Sequence, residues 1–134
     1  MASTQDFSVT ASAGTLREDS GSAWTVPHDW TPGGVTVQGD GNGAAVLHLS
    51  VALCVLNDTF REGAALGVPV AGVRVGAGGG FDTESWVSCG ITYAVDIDAT
   101  TSLDELEGLL TRVDEVAEIP RALRSGMSVE RADG

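Results

Sequence analysis

The order of elements in this 134-residue chain is that of a single α+β domain, and three observations carry that reading. A long apolar stretch, Gly43 to Gly67, has the length and patterning of one buried helix. Short alternating stretches, the signature of half-buried strands, precede and follow it. A second, amphipathic helix comes late, from Ser102 onward. The predicted order is βββ-α-ββ-α-(α)-β, with no internal repeat and one domain over residues 1–134.

Residues 7–26 (FSVTASAGTLREDSGSAWTV) hold two alternating stretches around a Gly/Glu/Asp/Ser turn and read as a β-hairpin. Residues 27–43 are rich in Pro and Gly and leave room for one short strand, Val35–Gln38. Asn42 is placed to cap the long helix. Gly67, followed by Pro69, is placed to end it. Val70–Ala77 alternates as a strand, Gly78–Gly80 reads as a flexible hairpin loop, and Trp86–Ala99 is the longest alternating run. The sequence Ser102-Leu103-Asp104-Glu105 is a capping box. Leu103, Leu106, Leu109, Leu110 and Val113 then form one apolar face, expected to lie on a sheet. Pro120 interrupts the helix, Arg121–Ser125 can add a turn, and Met127–Glu130 closes the chain as a strand.

Charge narrows the partners. There are 19 acidic residues against 7 basic ones, all arginine, for a net charge of -12. Such a surface repels nucleic acid and anionic membrane. No apolar run is read as long enough to span a bilayer. The start, MASTQDFSVTASAG, has neither a basic region nor an apolar core of a signal peptide, so the expected compartment is the reducing cytoplasm.

Chemistry is sparse. Cys54 sits at the centre of the long helix, either as a small core residue or as a thiol delivered to a closed site; the burial habit of free cysteine favours the core. It lies about three turns from the helix N-terminus, too far for the dipole to activate it. On its own face are Ser50 and Asp58, with Arg61 two turns on. Asp58 would raise the thiol pKa and Arg61 would lower it. Cys89 shares a strand face with Val87 and Ile91 by alternation and reads as core. His28 and His48 are the only histidines, and His48 projects from a different side of the helix than Cys54. No metal-ligand spacing or cofactor motif is present. Asp40-Gly41-Asn42-Gly43 echoes only the start of a calcium loop. The glycines at 76–80 follow a strand but lead into no helix, so they do not make a dinucleotide loop. No G-x-S-x-G elbow occurs. Trp24, Trp30 and Trp86 either cluster over the sheet edge or wall an apolar pocket or subunit contact.

Three pieces carry a family likeness: Leu47-His48-Leu49-Ser50-Val51-Ala52-Leu53-Cys54, then Ala65-Leu66-Gly67-Val68, then Ile119-Pro120-Arg121-Ala122-Leu123. Together with the order of elements, they resemble the OsmC/organic hydroperoxide resistance family over most of the chain, best from Asn42 to Val129. The resemblance implies an intertwined homodimer with sheets wrapped around long central helices and active sites at the subunit interface. It implies reduction of peroxides by a cysteine on the central helix. A second cysteine, in a Cys-Pro motif, then resolves the sulfenic acid. An arginine from the N-terminal sheet and a glutamate near the start of the central helix hold the thiolate.

By position the peroxidatic cysteine falls on Cys54 and the arginine on Arg17. The resolving cysteine falls on Ile119, directly before Pro120, and the glutamate on Ala44. Cys89 is not at the resolving position. Two functions follow. The first is a protein related to thiol-dependent peroxide reduction and oxidative stress response, degenerate in its catalytic parts, that uses Cys54 with an external thiol reductant on a hydroperoxide. The second is a non-enzymatic dimer whose interface pocket binds a small apolar ligand.

Overall fold

The computed structural model describes residues 3–21 and 23–132; residues 1, 2, 22, 133 and 134, which the single-domain reading includes, lie outside them. The strands are β1 (Thr4–Gly14), β2 (Trp24–Val26), β3 (Val35–Gln38), β4 (Val70–Asp82), β5 (Ser88–Ala99) and β6 (Val129–Arg131). The helices are α1 (Gly43–Leu66), α2 (Leu103–Val116) and α3 (Glu118–Leu123). The strands form one sheet in the order β2-β3-β1-β4-β5-β6. All neighbours are antiparallel except β5 and β6, which run parallel.

α1 begins where Asn42 accepts a hydrogen bond from the Ala45 amide and ends at Gly67, in the left-handed region at φ 72°. It lies across β1 and β4. Val51, Ala52, Val55 and Leu56 on α1 are completely buried, as are Ala11, Val73 and Val75 on the sheet. Burying each Val or Leu side chain of this set contributes about 1.5–3 kcal/mol. By length and composition α1 would reach across a bilayer, contrary to the sequence reading. However, 56% of its most apolar stretch is buried inside the domain, as in the core helix of a globular fold. The opposite stripe stays partly open: Val46 is 49% exposed, and Leu47, Ser50, Leu53, Cys54 and Asn57 are only part-covered.

Several expectations are corrected. β1 and β2 do not form a hairpin. β1 pairs along its whole length with β4, from Thr4 opposite Asp82 to Gly14 opposite Gly72, and takes β3 on its other edge. β2 pairs only with β3, across the shorter Pro-rich turn. The segment after β1 acts as a strap over β3: Asp19 accepts from Thr36, and the Ser20 carbonyl accepts from Gln38.

Gly78–Gly80 is not a loop but the continuation of β4. Gly79 pairs with Phe7 on one side and Ile91 on the other. A Cβ there would collide with the Gly90 carbonyl oxygen and press on His48 Nε2 at 3.0 Å. The glycine therefore permits close backbone approach at the centre of the sheet.

Cys89 is exposed, whereas Ile91 is buried. The register between β4 and β5 shifts between Gly79 and Phe81, and Gly90 takes φ 100°. This bulge ends the alternation that placed Cys89 with Ile91.

α2 packs on α1, with Leu109 and Val113 buried, while Leu103 at its start is 84% exposed. Ser102 caps it as expected by accepting from the Glu105 amide at 3.1 Å. The Glu105 carboxylate, however, takes the Thr101 hydroxyl. Pro120 falls in the first turn of α3, where a missing amide costs nothing. Trp24, Trp30 and Trp86 are 39%, 44% and 59% exposed.

Gly79→Ala is expected to destabilise the domain by about 1–3 kcal/mol, the cost of forcing a group into a packed interior. Gly76→Ala, whose Cβ would meet only the Val9 carbonyl at 4.0 Å, should be close to neutral. Urea unfolding of the two variants beside the parent checks the contrast.

Candidate functional site

Cys54 lies on the part-open stripe of α1, where the first turn of α3 crosses it. Its thiol donates to Glu118 Oε2 at 3.1 Å, and Asp58 Oδ2 lies at 4.0 Å. One turn further along α1, Arg61 binds both carboxylates: Nη2 meets Asp58 Oδ2 at 3.1 Å and Nη1 meets Glu118 Oε1 at 3.2 Å. Arg61 also reaches Glu62, which Arg112 of α2 clasps at 3.1 Å. The result is a thiol, two carboxylates and a guanidinium, with the carboxylates between the sulfur and the cation.

Electrostatics follow from this order. Burial is the largest influence on Cys54, and it pushes the thiol up to about 12. The Ile119 backbone amide favours the thiolate, but Glu118 and Asp58 oppose it. The Asp58 carboxyl is raised, first by its own burial and further by Glu118. Glu118 is lowered, first by its own backbone amide and then by the Cys54 thiol and Arg61. The pair thus divides its charge: Glu118 carries the stable negative charge and Asp58 the proton affinity.

Of the residues singled out in the sequence, the fold brings Cys54 and position 119 together. Ile119 directly follows Glu118, whose carboxylate accepts from the Cys54 thiol, and its side chain has no sulfur. Arg17 sits in the strap after β1, where it binds Asp19 at 2.8 Å and the Gly33 carbonyl at 2.8 Å. The arginine of the Cys54 cluster is Arg61. Ala44 is ten residues before Cys54, about 15 Å along the helix axis. Glu118 was missed by sequence reasoning. Its signal was available: it directly precedes Ile119, the position already matched to the thiol.

Cys54, Asp58 and Glu118 bring three candidate metal ligands within 4.8 Å of one another, a grouping that linear spacing did not reveal. Arg61 already supplies the countercharge to both carboxylates. His28 lies beside this region: its ring meets Phe60 edge-on at 5.4 Å, Nδ1 bonds to Thr31, and burial lowers its pKa.

A separate open cavity of about 560 Å³ lies at the N-terminal end of α1, lined by Gln5, Phe7, Ala44, Leu47, Phe81 and Trp86. Trp86 takes φ 58°, a conformation unusual for a bulky residue. His48 is buried behind it. Its Nδ1 bonds the Ala44 carbonyl at 2.7 Å, and Phe7 stacks on its ring at 5.8 Å. A second hollow of about 570 Å³ lies at the β6 edge. There Arg124 is tied to Asp114 and Arg131 to Glu107.

No protein-family model matches the chain, and no curated protein does either. Among solved structures, the chain is similar to an OsmC-like protein from Mycoplasma pneumoniae, with 13% sequence identity and a TM-score of 0.61. The match covers 86% of this chain and 96% of that one. The fold is therefore OsmC-like: an α+β domain with a six-stranded sheet and one long helix.

Cys54 in this setting is expected to alkylate slowly. With a pKa near 12, it holds about a thousandfold less thiolate at neutral pH than free cysteine. The same shift acts on stability. The folded thiol keeps its proton after the unfolded one has begun to ionise, so stability contributed by the thiol is full below about pH 8.5 and is lost as pH rises toward 12. Denaturant melts from pH 8 to 11 should show that decline, and Cys54→Ala should flatten it.

Proposed function

We propose that this chain is an OsmC-type homodimer with a thiol site derived from peroxide reduction, in which Cys54 is the reacting sulfur. The observation that carries the reading is the placement of Cys54. It sits at the middle of the central helix, on its part-open stripe, with position 119 beside it and a carboxylate–guanidinium pair in contact.

In the proposed reaction, the Cys54 sulfur attacks the outer oxygen of an organic hydroperoxide. The O–O bond breaks, the inner oxygen leaves with a proton as an alcohol, and the sulfur becomes a sulfenic acid. With Ile119 at the resolving position, an external thiol forms a mixed disulfide and releases water. A second external thiol then restores Cys54 and leaves as a disulfide. Such a cycle suits a reducing cytoplasm. Raised thiol pKa and the absent second sulfur make it slow, and the role is in oxidative stress response, with no resident cofactor.

Dimerisation is part of the reading. The part-open stripe of α1 is mostly apolar, with Val46, Leu47, Leu53 and Cys54 on it beside Ser50 and Asn57, as an interface helix requires.

A second reading is favoured by the cavity at Phe7, Leu47, Phe81 and Trp86. It adjoins the part-open stripe and is mostly apolar. In this reading the dimer binds a small apolar ligand there and performs no turnover.

The dimer should sediment as such at micromolar concentration. Val46→Glu, which puts a charge on the open stripe, should shift it to a folded monomer. Stopped-flow consumption of cumene hydroperoxide with dithiothreitol separates the two readings. The peroxidase reading expects turnover that disappears in Cys54→Ser; peroxide added without dithiothreitol should leave Cys54 as a sulfenic acid with no Cys54–Cys89 disulfide. A parent protein no faster than Cys54→Ser would leave the binding reading.

A further inference from the structure

Resting on the reading of Cys54 as the reacting sulfur, we propose that Glu118 is a latch on that sulfur: it holds both the Cys54 proton and the Arg61 guanidinium, and its release lets Arg61 pair with the thiolate. The geometry gives Glu118 two simultaneous duties. Oε2 accepts the thiol at 3.1 Å while Oε1 accepts Arg61 Nη1 at 3.2 Å. One carboxylate therefore stands between an acid and the cation that would stabilise its conjugate base. Arg61 is at the same time anchored from below, because Nη2 holds Asp58 Oδ2, the same oxygen that lies 4.0 Å from the sulfur. If Glu118 leaves, Asp58 still holds the guanidinium, through the oxygen that lies 4.0 Å from the sulfur.

The latch is built to open. Asp58 is almost wholly buried on α1, but the Glu118 side chain is 63% exposed and belongs to a six-residue helix. An exposed ion pair is weakly held and can exchange its partners for water. Departure of Glu118 removes a negative charge from contact with the sulfur, and the thiol proton leaves to solvent. The charged groups that face the site are Asp58 and Arg61 on α1 and Glu118 on α3, with Glu62 and Arg112 behind them and His28 near Asn57. Asp58 and Glu118 both reach the sulfur and the guanidinium, but Glu118 makes the shorter contact to the sulfur, 3.1 Å against 4.0 Å, and is the exposed one of the two. A substrate or subunit that displaces the first turn of α3 would thus switch Cys54 from a resting thiol to an ion-paired thiolate. Glu118 and Arg61 are positioning residues in this scheme.

The test uses the full chain carrying Cys89→Ser, so that Cys54 is the single thiol. The rate of alkylation by iodoacetamide is followed from pH 6 to 11, with folding checked by circular dichroism. Glu118→Ala should speed alkylation at pH 7.5 at least tenfold and lower the midpoint of the pH profile by a unit or more. Glu118→Gln, which keeps the size of the side chain, should act in the same direction. Adding Arg61→Ala should cancel the gain. An unmoved midpoint in both Glu118 variants, or a gain that persists without Arg61, overturns the latch. Hydroperoxide consumption by the same proteins is scored separately. Faster alkylation without peroxide reaction leaves the latch standing and sinks the peroxide reading. Peroxide reaction in the parent that no Glu118 variant alters does the reverse.

Discussion

The seating of α1 on β1 and β4 is the contact on which the remaining structure depends. One face of the helix, Val51, Ala52, Val55 and Leu56, is wholly consumed by the sheet. α2 then has no broad sheet surface left and settles on α1, and α3 crosses the helix near its middle. That crossing delivers Glu118 and the Ile119 amide to Cys54. The α3 half of the thiol environment is thus a by-product of how α2 and α3 pack on α1, and nothing in the immediate sequence around Cys54 specifies it.

The same seating explains the glycines. His48 is carried on α1 toward the sheet and meets it at Gly79. A side chain on β4 at that point would separate either the helix from the sheet or β4 from β5. Gly79 therefore belongs to the packing of the core helix as much as to the strand, whereas Gly78 and Gly80 are crowded by β1.

What could be read from the sequence was whatever local chemistry dictates. The α1 caps at Asn42 and Gly67, the Ser102 cap, the short strand Val35–Gln38 and the order of elements all follow from neighbouring residues. What could not be read was long-range. A run of glycines has the same local signature in a loop and in a crowded central strand. Strict alternation put Cys89 in the core because the bulge at Gly90 depends on its partner strand. β1 and β2 looked like a hairpin because nothing local shows that β3 and β4 already occupy both edges of β1. The site divides in the same way. Asp58 and Arg61 share a helix face with Cys54 and were visible by periodicity, whereas Glu118 lies 64 residues away and enters only through the fold.

The placement of the three tryptophans has an optical consequence. None of them lies in the core, and the largest fully buried side chain is Tyr93. Indole emission from the isolated domain will therefore come from partly hydrated rings, and loss of the core will change its colour little. Trp86, on the rim beside Phe81, is instead well placed to brighten or shift to the blue when something apolar settles over it. In this protein, fluorescence is a sensor of what covers the surface, and melting of the interior has to be followed through the backbone.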